Sequence, residues 1–501
     1  MSYFIGLDVG TSGVKALLIN EKGEVISSAT NEYVMLTPKP NWTEQNPEDW
    51  WEASKKSIRS VASKVKKDEI EGIGLTGQMH GLVTLDDNLN VVRPCIMWND
   101  QRTVKECDEI TTKIGFDKLI KITGNQVLTG FTAPKILWIK NNEPDNYNKI
   151  KKILLPKDYI RFRLTGELAT DVSDASGTSL LNVPERKWSD EILSGLEIPK
   201  QWMPQLYESS EISGIVKKGL CEELNLPENL IVAAGGGDQA AGGIGTGTVS
   251  EGITSLVLGT SGVVFAHSDK PRIEASGKVH SFCHAVPNTW HVMGVTLSAA
   301  GSLQWYRNSF HNRIDYSELT KAAEEIQPGS EGLFFLPYLS GERTPYADAN
   351  AKGTFIGATV RHNSAHFTRA VLEGVAFSLR DCFELNENIG VKTEQVRISG
   401  GGAKSKMWIQ ILSDLLKKEI VTLTSTEGAP YGAAILAAVA SGKFNSVYEA
   451  CASIIKIKTT TTPNKENINI YEDFYNIYKN LYGTLKSTFV NISNAVEKYS
   501  N

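Results

Sequence analysis

Apolar residues fall in short runs at the start of the chain. Tyr3–Asp8 (YFIGLD) and Val14–Ile19 (VKALLI) are β-type runs with Gly10-Thr11-Ser12-Gly13 between them, which predicts a hairpin with GTSG at its tip. A polar turn at Asn20–Glu24 leads into a third run, making a meander of strands. Asn46 and Pro47 then open a helical pattern, PEDWWEASKKSIRSVASKV, with a capping residue followed by proline at the first helical position. The strand-like Ile70–Leu75 (IEGIGL) ends in TGQMHG, Thr76–Gly81. Helices and strands alternate from there to NLIVAAGGGDQAAGGIGTG, Asn229–Gly247, where a buried-strand run breaks into glycines around Asp238 and turns helix-like.

At Ile253 the pattern restarts. ITSLVL is followed by a second GTSG (Gly259-Thr260-Ser261-Gly262), by VVFAHS, and by a hairpin pattern, KVHSFCHAVPNTWHVMGV. Helices follow from Ser298, and a long one over Ser364–Asn388 precedes the strand EQVRIS, which ends in GGGAKS and opens another helix. The order repeats that of the first half, so the chain is read as two related α/β domains facing one another, each opening with a GTSG hairpin. The expected boundaries are 1–247, 248–442 and a tail at 443–501. In that tail TTTTPNKEN reads as a linker and the polar, aromatic-studded stretch from Ile470 as a packing helix, suited to capping the second domain or to a homodimer contact.

Length and composition agree with this division. A chain of 501 residues with 41% apolar content buries more than one core. The net charge of −5, with Lys and Arg scattered, gives no blanket attraction to nucleic acid or anionic membrane, so any phosphate chemistry must be local. Six widely spaced cysteines form no CxxC pair, which fits a reducing cytoplasm rather than a disulfide framework. The N-terminus lacks a basic and apolar leader, and the longest apolar run, near Ala433–Ala440, is too short to cross a bilayer. A cytoplasmic protein is expected.

A tight Gly-Thr-Ser-Gly turn presents backbone N–H groups and hydroxyls to phosphate oxygens without side-chain obstruction. Two such turns, one from each domain, can grip one polyphosphate. Asp8, at the end of the first strand, is placed to hold Mg²⁺ or its waters beside those phosphates, and Val257 stands at the matching place in the second copy because one metal needs one anchor. An ordinary hairpin turn accounts for either string alone, but not for the repeat with matched flanking strands. Asp238 ends a strand and opens a helix, so its carboxylate is directed into a cleft and can take the proton of an attacking hydroxyl. The position also suits a helix cap, yet a cap does not need glycines on both sides.

Other nucleotide signatures fail. No GxxxxGK[ST] occurs, and the protein-kinase set of VAIK, HRD and DFG is missing. Gly235–Ala240 (GGGDQA) formally matches a dinucleotide fingerprint, but it lies deep in the chain with an Asp where a pyrophosphate must approach.

Further strings complete a set: NWTEQNPEDWW (Asn41–Trp51), WNDQRT (Trp98–Thr103), GFTAPKILWIKNNE (Gly130–Glu143), GGGDQAA (Gly235–Ala241), LPYLSGERTPYAD (Leu336–Asp348) and ISGGGAKSKMWIQILSD (Ile398–Asp414). With the two GTSG turns and TGQMHG they resemble, in order and over Tyr3–Gly442, the FGGY family of carbohydrate kinases. The resemblance implies two actin-like, ribonuclease-H-like ATPase domains around a central cleft, ATP and Mg²⁺ as cofactors, and a sugar as acceptor. It implies Asp238 as catalytic base, Asp8 as the metal- and phosphate-side aspartate, and Met79 with His80 as the lining of a ketopentose site. Gln239 then holds the sugar and Trp98 walls the same pocket. Thr11, Ser12 and Gly13 match the first phosphate turn, and Gly259, Thr260, Ser261 and Gly262 the second. Lys15 resembles a basic residue that approaches the phosphates, though a strand-surface lysine suits the position too. Gly401 and Gly402 match the place where adenosine lies against backbone, and Arg343 is either a cleft charge or half of a structural ion pair.

Within the family TGQMHG favours D-xylulose as the acceptor, and the Arg-Glu pair usual in glycerol kinases is absent there. Ribulose, gluconate or glycerol as acceptor, and a catalytically inactive sensor, are the alternatives; the tail is too short for the peptide-binding domain of a chaperone ATPase. His280, Cys283, His284 and His291 form a paper zinc set, but strand alternation puts His280 and His284 on one face and Cys283 on the other.

Overall fold

The computed structural model describes residues 1–499. Its frame is two β-sheets. In the first, β1 (Tyr3–Val9), β2 (Gly13–Asn20) and β3 (Val25–Glu32) form an antiparallel meander, and β1 continues into parallel pairing with β4 (Ile70–Gly77) and then β6 (Ile231–Gly237). The short β5 (Ile212–Ile215) closes the edge antiparallel to β6. In the second sheet, β7 (Gly252–Leu258) and β8 (Gly262–Ser268) make the hairpin, and β9 (His280–Cys283) and β10 (Trp290–Thr296) extend it. On the other side of β7 lie β11 (Thr393–Ser399), β12 (Glu419–Leu423) and β13 (Ile457–Thr461).

The sheet orders are β5-β6-β4-β1-β2-β3 and β9-β10-β8-β7-β11-β12-β13. Reading outward from each hairpin, strand senses match: antiparallel on the hairpin side, two parallel strands on the other, and an antiparallel strand at the edge. The two halves share a five-strand core of matching senses, with β9 added in the second and the edge strand preceding β6 in the first but following β12 in the second. The edge strand β13 occupies part of the stretch read as a linker. Its threonines are β-branched and suit a solvated sheet edge, where polar composition alone looks like a loop.

Helices cover the sheets where the apolar pattern demands it. α1 (Pro47–Ala62) starts from Asn46, whose side chain accepts from the Glu48 N–H, and buries Trp50, Ile58 and Val61 on the first sheet. α2 (Thr132–Asn142) belongs to the large insertion between β4 and β6. α3 (Asp238–Gly245) follows β6 without a loop. In the second half α4 (Ala300–Phe310), α5 (Ser364–Asn388) and α6 (Lys406–Leu416) pack around one core. α7 (Ala429–Ala440) follows β12 as α3 follows β6.

α7 comes from the second half but lies on the first sheet. A Cβ at Gly6 would fall 1.8 Å from the Pro430 carbonyl oxygen, and one at Gly74 1.8 Å from that of Ala433. α7 therefore rests backbone to backbone on β1 and β4. It touches α3 equally closely, since a Cβ at Gly432 would meet Ala241 O at 1.8 Å. The terminal helix α8 (Lys465–Tyr499) caps the second half. Its buried Tyr471, Tyr475, Tyr478 and Tyr482 face α5 and the loop before it, with hydroxyls bonded to Glu373, Asp381, Tyr338 and Asp348.

Candidate active site

Parallel strands end together at the cleft. Val9 of β1 pairs with Gly77 of β4, and Gly77 with Gly237 of β6, so Asp8 and Asp238 project from neighbouring strand ends. Asp238 is the first residue of α3, with Gly237 at the cap position. Burial raises the Asp238 carboxyl to about 6, opposed by hydrogen bonds from the backbone and side chain of Gln239. Asp8 is pushed up to about 7, first by burial and then by the charge of Asp238, with Lys15 acting the other way. Two carboxylates sharing one cleft end is an arrangement suited to a proton acceptor beside a cation site.

Asp8 Oδ1 is buried with no hydrogen-bond partner, and so is Thr76 Oγ1, its register partner on β4. Buried polar atoms left open in this way fit a hydrated hard cation or phosphate oxygens. Among the described residues no group of three or more His, Cys, Asp or Glu side chains is arranged to hold a metal by itself. A metal here would have to bring other ligands with it.

Both GTSG turns are braced from behind. In the first, Gly10 N–H bonds Gly13 O at 3.1 Å, Tyr33 donates to the Gly10 carbonyl, and Gln45 Nε2 donates to Thr11 O at 2.7 Å. In the second, Gly259 N–H bonds Ser261 O, and the first amides of α4, Ala300 and Gly301, take the carbonyls of Gly259 and Thr260. Among the described residues nothing accepts from the amides of Thr11, Ser12, Thr260 or Ser261. Beside the second turn opens a cavity of about 810 Å³, lined by Gly259, Thr260, Tyr316, Gly401, Gly402 and Trp408. A Cβ at Gly401 would meet nothing within 4 Å, whereas one at Gly402 would strike Leu258. Gly401 thus offers bare backbone to the cavity.

Met79 and His80 follow β4 directly. Met79 lies against Gly237, where a Cβ would come within 2.9 Å of its Sδ. His80 has φ +70°, and its Nδ1–H donates to Gly177 O at 2.7 Å while its ring stacks on Phe131 at 4.5 Å. Burial, together with the positive charges of Lys135 and Arg343, holds the ring at about 3 against the bond to Gly177, so it is neutral with Nε2 free to accept.

Three of these positions make contacts that the sequence alone did not show. Trp98 is 43% exposed and its Nε1 donates to Thr11 Oγ1 at 3.0 Å, which ties it to the first turn. Lys15, opposite Asp8 in the hairpin, pairs with Glu427 of the second half. The histidines of the hairpin pattern separate because β9 stops at Cys283. His280 stacks with Phe282 on one face and donates to Asn125 Oδ1, while His284 has left the strand and bonds Thr248 O.

Several residues at the site were not singled out from sequence. Gln45 Oε1 accepts from Trp50 and Gln78, joining the first turn to the strand end before Met79. Lys135 of α2, fully buried, donates to the carbonyls of His80 and Gly130 at 2.8 and 2.7 Å. A lysine inside the apolar run APKILWI was the available signal.

The model of the FGGY carbohydrate kinase N-terminal domain matches residues 3–245, and that of the C-terminal domain matches 254–441. The chain belongs to the FGGY family of carbohydrate kinases. A xylulose kinase of Lactococcus lactis is 41% identical over 95% of each chain. A solved structure described as a "xyloylose kinase" from Brucella ovis shares 40% identity at a TM-score of 0.91, covering 97% of this chain and 100% of its own. A gluconate kinase structure from Lactobacillus acidophilus superposes at a TM-score of 0.93 with 26% identity, over 98% and 99%. No described helix of this FGGY kinase is long and apolar enough to cross a membrane.

Proposed function

We propose that this FGGY kinase transfers the γ-phosphoryl group of ATP to O5 of D-xylulose, giving D-xylulose 5-phosphate and ADP. The observation that carries the reading is the placement of Asp238 beside Met79 and His80, on strands that also carry Asp8 and the first turn. Extensive identity to xylulose kinases supports the acceptor.

Asp238, raised to about 6, is mostly ionised at neutral pH and still basic enough to take the hydroxyl proton as the O–P bond forms. Gln239 holds its orientation. His80 accepts a sugar hydroxyl at Nε2, and Met79 covers a carbon face. The bare amides of the two turns receive phosphate oxygens, and adenosine lies in the cavity along Gly401. Mg²⁺, held at Asp8 directly or through water, would offset charge on the phosphates. Positioning and electrostatics supply most of the rate. Closure of the two halves over the sugar expels competing water, so acceptor-free ATP hydrolysis is slow.

The test is ADP release from MgATP with D-xylulose, L-xylulose, D-ribulose, L-ribulose, gluconate and glycerol, against an acceptor-free blank. Highest kcat/KM with D-xylulose is expected. A preference for gluconate would move the chain to the second acceptor class seen on this fold, and no acceptor-stimulated turnover would make it a sensor.

A further inference from the structure

Arg343 is a cation without an anion. Its neighbours are engaged in part: Glu342 Oε1 accepts from the backbone N–H groups of Leu297 and Arg343 while its Oε2 is buried without a partner, and Thr344 bonds Val295 and Lys278 O. These contacts fix the Arg343 backbone at the end of β10, two residues from where His280 begins β9. Yet its guanidinium makes no hydrogen bond or ion pair among the described residues, and Glu342 next to it does not pair with it. Burial lowers Arg343 to about 10, and its charge acts on both His80 and His280.

The rings of His80 and His280 belong to one aromatic cage. His80 stacks on Phe131, Phe131 lies 6.3 Å from Phe282, and His280 stacks on Phe282 at 5.5 Å. The polar groups of the cage are acceptors or are already used. His80 and His280 spend their Nδ1–H on Gly177 O and Asn125 Oδ1, leaving lone pairs at Nε2. Lys135 spends its ammonium on two carbonyls, and Gln239 donates to Asp238. A ketone oxygen only accepts, and the guanidinium of Arg343, with all its N–H groups unspent, is the donor with the most to offer it.

We propose that Arg343 reads the carbonyl end of the acceptor, its guanidinium donating to the ketone oxygen and the adjacent C1 hydroxyl, at the end of the sugar opposite the hydroxyl facing Asp238. The planar fork of N–H groups matches two neighbouring oxygens. Because Arg343 comes from the second half and His80 from the first, the ketose itself becomes the bridge between them. The inference rests on the ketose reading of the site above.

The experiment compares the KM of D-xylulose with the inhibition constant of pentane-1,2,3-triol, which keeps three adjacent hydroxyls and lacks both oxygens that Arg343 would read, in the full-length enzyme and its Arg343→Gln and Arg343→Lys variants. For Arg343→Gln, the KM of D-xylulose should rise roughly 10- to 100-fold while the triol constant moves by less than about threefold. Arg343→Lys, keeping charge but losing the fork, should fall between. Equal losses for ketose and polyol overturn the proposal, as does an unchanged KM accompanied by a lowered thermal midpoint, which marks a structural arginine. Failure of the underlying reading appears separately, as wild-type enzyme that D-xylulose does not stimulate.

Discussion

Asp238 pays for its role in stability. Its carboxyl titrates near 6 in the folded chain and near 3.8 when unfolded, so between those values the folded state holds the extra proton and stability falls as pH rises. Above that window the cost is of order 1–3 kcal/mol. Asp238→Asn should therefore raise the unfolding midpoint at pH 8 and give no gain near pH 4, while acceptor-dependent turnover falls by at least about 10³-fold. ATP binding, followed by calorimetry, should survive. In the wild type kcat/KM should drop as pH falls through about 6, because the base is then protonated; a profile flat to pH 5 would remove Asp238 from proton transfer. Lys135 acts one step further back. It fixes the carbonyl of His80 in a left-handed conformation, so Lys135→Met should raise the KM of the sugar about tenfold and leave that of ATP unchanged, as steady-state kinetics in each substrate would show.

Among the elements, glycine carries different meanings. In α7 and the strands beneath it glycine is room for another backbone, and Gly74→Ala, with a carbonyl 1.8 Å from the new methyl, should cost about 3 kcal/mol or more in denaturant unfolding. Gly483, exposed in the middle of α8 with nothing within 4 Å, is the contrast: Gly483→Ala should stabilise by about 0.5–1 kcal/mol. This difference also explains what was legible in sequence. The two hairpins, α1 with its Asn46 cap, α5 and the Asp238 junction were readable because each rests on a local pattern of apolar period, cap or turn. The seating of α7 on the opposite half was not, since Gly6 and Gly74 look like weak points in strands until the helix that fills them is known. Edge strand β13 was missed because an edge has one solvated side and few apolar residues. At the site, Asp8, Met79 and His80 could be given roles from their strings, whereas Gln45, Lys135 and Phe282 act through contacts with distant segments that their own strings do not show.

At the scale of the molecule, each half carries its own GTSG hairpin, and α3 and α7 join the halves backbone against backbone. The Lys15–Glu427 pair is a different kind of link between halves. Both side chains are about a third exposed, so the pair contributes little to stability and is cheaply exchanged. Lys15 sits opposite Asp8 beside the first turn, where the phosphates of ATP would offer a stronger partner than one carboxylate. If that exchange accompanies nucleotide binding, Glu427 competes with ATP for Lys15. Glu427→Gln should then lower the KM of ATP about two- to fivefold, Lys15→Met should raise it, and in the double variant the Glu427 substitution should have no further effect. Additive effects in this cycle would show that Lys15 and Glu427 act independently. Two single variants that change thermal stability but not the KM of ATP would leave the pair as a plain contact between the halves.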